Sequence, residues 1–385
     1  MALKKTIRYA GVVAGAAALT LAFAGCTPNS GNPSSSGAAQ ADKTVIDQFL
    51  LAPSDATVFT AKTASSAVTG PISGGQVYLP YTDVLPLPDG PVGDPSKTYT
   101  VCFSQALTGS TWAVEQQESA QIEAARHPNV KVLYYNTNND PLKQVADVDS
   151  CLAQKVDAVV IWPHSVEPLT PEIEKVKAAG TVVVGMERTV ATRDYDSWVY
   201  LDNAQATRDL AKAVGEKLGG QGTVVEVDGA IGSSPQILRR AGFVDALKEL
   251  YPNITVEFTA PTDYSRGQGY KVTLDYLQAN PDKKIDAFYS EYTETGFGVA
   301  QALKDYNKSD IPQYSIVDGQ AAVQGVLDGT FEAVAPWNPL HGDVGLRAAL
   351  YHLVGKDVPQ NILLQQPPLI TKENAQEQLQ QTWPG

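Results

Sequence analysis

Cysteine, histidine and methionine are scarce in this chain of 385 residues: three, four and two of each. The histidines His127, His164, His341 and His352 show no metal-ligand spacing, and the cysteines form no cluster, so no metal site is expected. The Gly-x-Ser-x-Gly turn of serine hydrolases and the Gly-x-x-x-x-Gly-Lys phosphate cradle are missing as well. Gly296-Phe297-Gly298 has Gln301 where a third glycine would stand. Nothing here supports catalysis, and no cofactor is called for. Positive charge is in deficit: 29 Lys and Arg face 42 Asp and Glu, a net charge of -13, which makes nucleic acid an unsuitable partner. Past residue 24 no apolar run approaches transmembrane length.

What is present begins with Lys4, Lys5 and Arg8, followed by an uncharged apolar run from Ala10 to Ala24, the layout of an export signal. The run closes on Phe23-Ala24-Gly25-Cys26. That ending resembles the lipobox of bacterial lipoproteins, with Phe23 where leucine is usual, and it implies a signal peptide over 1–25 and lipidation of Cys26. The mature chain is then expected outside the cytoplasm, anchored to the cell membrane by lipid alone. With Cys26 set aside, Cys102 and Cys151 remain; in an oxidising compartment a disulfide between them and two buried free thiols are both open. Residues 27–41 are rich in Ser, Gly, Asn, Pro and Ala and form a tether spanning roughly 20 Å as a random coil. Val45, Ile46, Phe49, Leu50 and Leu51, with Thr44 as a candidate N-cap, predict a short helix between Val45 and Val58 that docks on the main body or on a partner. A Gly/Pro-rich passage from Gly70 to Pro95 leads to the first confident strand.

From there strand and helix patterns alternate. Strands are predicted at 99–103, 130–135, 158–162 and 181–188, with helices at 112–126, 141–154 and 168–179 between them. A second round follows: strands at 199–201, 223–227, 254–258, 287–289 and 314–317, helices at 203–218, 236–251, 265–279, 295–306 and 321–327. Such alternation specifies parallel sheets with helices on both faces, and its length exceeds one comfortable core, so two α/β domains are expected. The strand Thr181-Val-Val-Val-Gly-Met-Glu187-Arg188 is central. Its apolar run reads as buried on both faces, and ligands of open α/β sheets bind beyond the carboxyl ends of such strands, where Glu187 and Arg188 stand.

Four segments, taken in order, resemble the sugar-binding proteins of bacterial ABC importers, the ribose-binding type of periplasmic binding fold: Tyr134-Tyr135-Asn136-Thr137-Asn138-Asn139-Asp140-Pro141, the strand ending Glu187-Arg188, Leu201-Asp202-Asn203, and Ser315-Ile316-Val317-Asp318-Gly319. The likeness runs from about Tyr99 to about Leu369. It implies an α/β fold of two doubly wound parallel-sheet lobes joined by a three-crossing hinge, with crossings near Leu201, Trp337-Asn338 and Gln365-Gln366. Lobe one then holds 97–201 with 338–365 and lobe two 202–337 with 366–385, after a lipidated tether and extension over 26–96.

By position the resemblance implies that Thr111 and Trp112, beside Ser110, meet the ligand, together with Glu187, Arg188, Tyr264, Tyr292, Asp318 and Trp337. Ile237 and Tyr292 stand where ribose binders have arginine and asparagine, so the architecture is implied and ribose is not. Carboxylates and guanidinium forks suit hydroxyl groups, and flat aromatic faces suit the C–H face of a sugar ring. Glu187, Glu291 and Asp318 set against Arg188 suggest a negative pocket that rejects anions. The expected protein is a monomeric, non-enzymatic receptor that delivers a sugar to an ABC permease and ATPase. The alternatives are a sensor presenting its closed form to a membrane receptor or kinase, and a receptor for another neutral or a cationic small molecule.

Overall fold

The structure is a computed structural model and describes residues 45–62, 67–107, 109–317, 319–380 and 382–383. The signal segment, Cys26 and its tether lie outside the described residues, as does Asp318. No helix among the described residues is long and apolar enough to cross a membrane.

In chain order the strands are β1 (Thr57–Thr60), β2 (Val68–Thr69), β3 (Gln76–Val77), β4 (Tyr99–Gln105), β5 (Val130–Asn136), β6 (Ala158–Ile161), β7 (Val182–Glu187), β8 (Ser197–Tyr200), β9 (Gln221–Val227), β10 (Asn253–Phe258), β11 (Ala287–Ser290), β12 (Gln313–Ile316), β13 (Ala333–Ala335), β14 (Asn361–Gln365) and β15 (Ile370–Thr371). They form a seven-stranded sheet ordered β1-β14-β8-β7-β6-β4-β5, a six-stranded sheet ordered β10-β9-β11-β12-β13-β15, and a small β2-β3 hairpin. Every pairing in the two large sheets is parallel except β13 with β15. These are the two parallel-sheet lobes that the βα alternation predicts.

Strand periodicity explains how the first sheet is buried on both faces. Val101, Phe103, Val160 and Val184 point into one apolar cluster, while Cys102, Val159, Ile161 and Val183, one position out of phase, point into another. Cys102 of β4 and Cys151 of the helix Pro141–Ala153 meet in that second layer and are joined by a disulfide. Gly185 in β7 admits the Trp198 ring, which a Cβ would approach to 2.2 Å. Helix starts are locally coded: Ser110, Asp140, Asp202, Ser233 and Ser265 each accept a backbone N–H from the first turn, and Pro141 stands at the first position of its helix.

The chain passes from sheet one to sheet two between β8 and the helix Asn203–Lys217. It returns between β13 and the helix Gly342–Leu353, which packs on β6, β7 and β8, and leaves again between β14 and β15.

The N-terminal extension departs from expectation. Among its described residues the helical turn is Ile46–Leu50, and 57–60 is a strand that pairs with β14 at the edge of sheet one. Pro53 explains the break, since it lacks an amide donor and disfavours helix in the residue before it; the run Thr57-Val58-Phe59-Thr60 then favours strand. Nor does lobe one begin at 97. Val77, Tyr81, Val84, Leu87 and Val92 are buried in the main core, and buried Arg347 donates to the carbonyls of Tyr81 and Val84 while Glu123 and Asp343 hold its charge. The described residues 57–60 and 77–92 of the extension thus pack as part of the same body as sheet one.

Candidate functional site

The carboxyl ends of both sheets turn toward a common seam. At the end of β7, Glu187 adopts a left-handed backbone with φ of 57°, which turns the chain out of the sheet. Its carboxylate is held from two sides: Oε2 accepts the Trp162 indole N–H at 2.7 Å, and Oε1 accepts that of Trp337 at 3.1 Å. Arg188 Nε lies 3.8 Å from Glu187, and another guanidinium nitrogen donates to the carbonyl of His164. Burial lowers the pKa of Arg188 and Glu187 opposes that shift; burial and the Arg188 charge hold His164 down to about 4, so it is neutral at neutral pH.

Aromatic rings line the seam. Trp112, second residue of the helix Thr111–Ala125, packs on Trp162 with centroids 4.9 Å apart and donates its indole N–H to the Trp337 carbonyl at 2.9 Å. From lobe two, Tyr264 meets Tyr292 edge to face at 5.9 Å. Two successive left-handed residues, Asp263 and Tyr264, aim the Tyr264 ring, and Gly229 makes room, because a Cβ there would lie 2.3 Å from it. Burial raises the Tyr264 hydroxyl to about 12, so it remains a neutral donor.

Arg239 completes the set. It lies in the helix Ser234–Leu250, donates to the Glu291 carbonyl at 2.6 Å and to Asn203 Oδ1 at 2.8 Å, and its guanidinium sits 5.1 Å from the Trp337 ring. Arg188 and Arg239, from opposite lobes, each lie 5.9 Å from the Tyr264 ring. The lobes also bond directly, Thr189 N–H to Ser234 Oγ at 2.8 Å and Val166 N–H to the Gly232 carbonyl at 3.0 Å.

Of the residues expected from sequence, Trp112, Glu187, Arg188, Tyr264, Tyr292 and Trp337 come together, all but Tyr264 more than nine-tenths buried. Thr111 does not join them; it is exposed on the first turn of its helix. Asp318 lies outside the described residues. Trp162 and Arg239 line the seam as well, though neither is among the residues expected from sequence. Trp162 follows β6 as Arg188 follows β7, so the strand-end rule that selected Glu187 and Arg188 would have selected it. Arg239 was obscured by the match of Ile237 to a ligand arginine: the guanidinium is supplied two positions further along the helix, and Ile237 packs elsewhere, near Leu50.

Burial, with Asp228 and Glu226 beside it, raises the pKa of Glu291, and Arg239 adds a second guanidinium to Arg188; Asp318, the third carboxylate of the expected negative pocket, lies outside the described residues.

The fold and this seam define a two-lobed ligand-binding protein. A family model described as periplasmic binding protein domain matches residues 101–357, and the chain belongs to that family. It is 26% identical over 251 residues to the xylitol-binding protein of Mycolicibacterium smegmatis, covering 65% of this chain and 71% of that one. It is 27% identical over 267 residues to the ribose import binding protein of Bacillus subtilis, covering 69% and 85%. Among solved structures, an ABC transporter solute binding protein from Mycobacterium smegmatis with bound glycerol superposes with a TM-score of 0.68 at 28% identity, over 75% of this chain and 99% of that one. These relatives are named for binding, not for catalysis.

Proposed function

We propose that this protein captures a neutral sugar or related polyol between its lobes and, held outside the cytoplasm by lipid on Cys26, delivers it to the permease and ATPase of an ABC importer. The observation that carries the reading is the pair Arg188 and Arg239, brought from opposite lobes to one aromatic-walled seam. Planar guanidinium forks donate to adjacent hydroxyls, and the indole and phenol faces pack against the C–H face of a ring or chain. Arg188 Nε and Asn203 Nδ2 are buried without a hydrogen-bond partner among the described residues, which makes them donors for ligand oxygens. Two guanidiniums disfavour a cationic ligand. Xylitol, ribose and glycerol, the compounds that these relatives are named for or hold, are all neutral polyhydroxy compounds and support the same class.

A thermal-shift screen of pentoses, furanose sugars, pentitols and organic cations, followed by calorimetry on the best hit, tests this. A neutral polyol should stabilise the protein with one site per chain. Stabilisation by cations alone would overturn the reading.

A further inference from the structure

Residues 46–51 lie in a groove with one wall from each lobe. Leu50 is 1% exposed and packs between Val166 of the lobe-one helix Val166–Ala178 and Leu238 of the lobe-two helix Ser234–Leu250. Lobe one supplies polar ties to the segment's backbone: Thr189 Oγ1 donates to the Leu50 carbonyl at 3.0 Å, Arg193 Nε to that of Gln48 at 3.1 Å and Arg193 Nη2 to that of Leu51 at 2.8 Å. Lobe two supplies an apolar wall, Leu238 with Ile237 beside it.

This division of labour makes the segment sensitive to the hinge. When the lobes part, the ties to Thr189 and Arg193 stay with lobe one while Leu238 moves away, so Leu50 loses half its pocket and meets water. Thr189 also adjoins Arg188 and bonds Ser234 across the seam, so the segment is wired to the loop that carries a site arginine.

We propose that residues 46–51 are a latch that stabilises the closed form, making ligand retention depend on the stretch of chain that continues into the tether. The inference rests on the proposed capture between the lobes taking place by closure about the three crossings, and not on the identity of the ligand.

The test uses the full chain with spin labels on Leu142→Cys in lobe one and Lys284→Cys in lobe two, both exposed positions, and reads interlobe distances without ligand. Leu50→Ala should lower the closed-to-open ratio roughly 10-fold, because a buried apolar side chain stabilises one state only. Leu238→Ala should do the same, and the pair together should do little more than either. An unchanged ratio in Leu50→Ala, or full additivity, overturns the latch. One fixed distance in every variant and with every ligand of the screen would instead overturn hinge closure itself. Hydrogen exchange on the unsubstituted chain is the second measurement: amides 46–51 should open together with the seam at 232–234, and independent opening of 46–51 overturns the proposal.

Discussion

Glu187 and Trp337 are joined by an indole N–H to carboxylate hydrogen bond of 3.1 Å that ties the end of the central strand to the crossing segment between lobes. Trp162 occupies the other carboxylate oxygen, so Glu187 orients two rings of the site as well as facing it. Trp337 is therefore not a loop residue that can be removed at no structural cost. It is 1% exposed and packs in the main core. Trp337→Ala should lower stability by about 3–5 kcal/mol as well as weakening ligand binding, and Trp337→Phe, which keeps most of the volume but strands a Glu187 acceptor, by about 1–3 kcal/mol. Urea denaturation checks both; a Trp337→Ala variant as stable as wild type would contradict this packing.

The two guanidiniums should each be needed. Arg188→Ala should cost about 2–5 kcal/mol of ligand affinity, and Arg239→Ala a comparable amount from the other lobe. Arg188→Lys should recover little, since a point charge does not replace a planar fork. Calorimetry with the best ligand of the screen decides it, and wild-type affinity in Arg188→Ala removes this site from the binding reaction.

Glu226, Asp228 and Glu291 place carboxylate oxygens within 4.8 Å of one another, and Arg240 lies 2.8 Å from Asp228. Desolvation, helped by Asp228 and opposed by Arg240, raises Glu226 to about 7. The folded chain thus keeps a proton that the unfolded chain releases above about 4.5, so this group destabilises the fold increasingly as pH rises toward 7, by about 1.4 kcal/mol per unit. Glu226→Gln abolishes that dependence. Its stability relative to wild type should climb between pH 5 and 7 and then level off; a constant difference across that window in urea titrations would refute the assignment.

The disulfide between Cys102 and Cys151 spans 49 positions, and closing a loop of that length is worth about 4 kcal/mol through the unfolded chain. The double variant Cys102→Ala with Cys151→Ala should lose that much in denaturation. Mass spectrometry without reduction should find no free thiol at either position.

Cys26→Ser should release the protein from the membrane fraction, because lipid is its proposed anchor. A variant that still sediments with membranes would show that another segment holds it.

The sequence by itself determined the layered α/β architecture, since runs such as Ala158–Ile161 and Val182–Gly185 state their burial on both faces and the capping residues state where helices begin. It also marked Glu187 and Arg188, because the end of a strand is a local property. Other features were decided only by the tertiary structure. Which arginine of Ser234–Leu250 enters the seam depends on how that helix is rotated about its axis, which no local pattern records, and the raised pKa of Glu291 depends on its burial and on carboxylates brought to it from another strand. Residues 45–60 belong to the body because Leu50 and β1 find partners at Leu238 and β14, roughly 190 and 300 positions away. Contacts at such separations leave no periodicity in the chain that makes them.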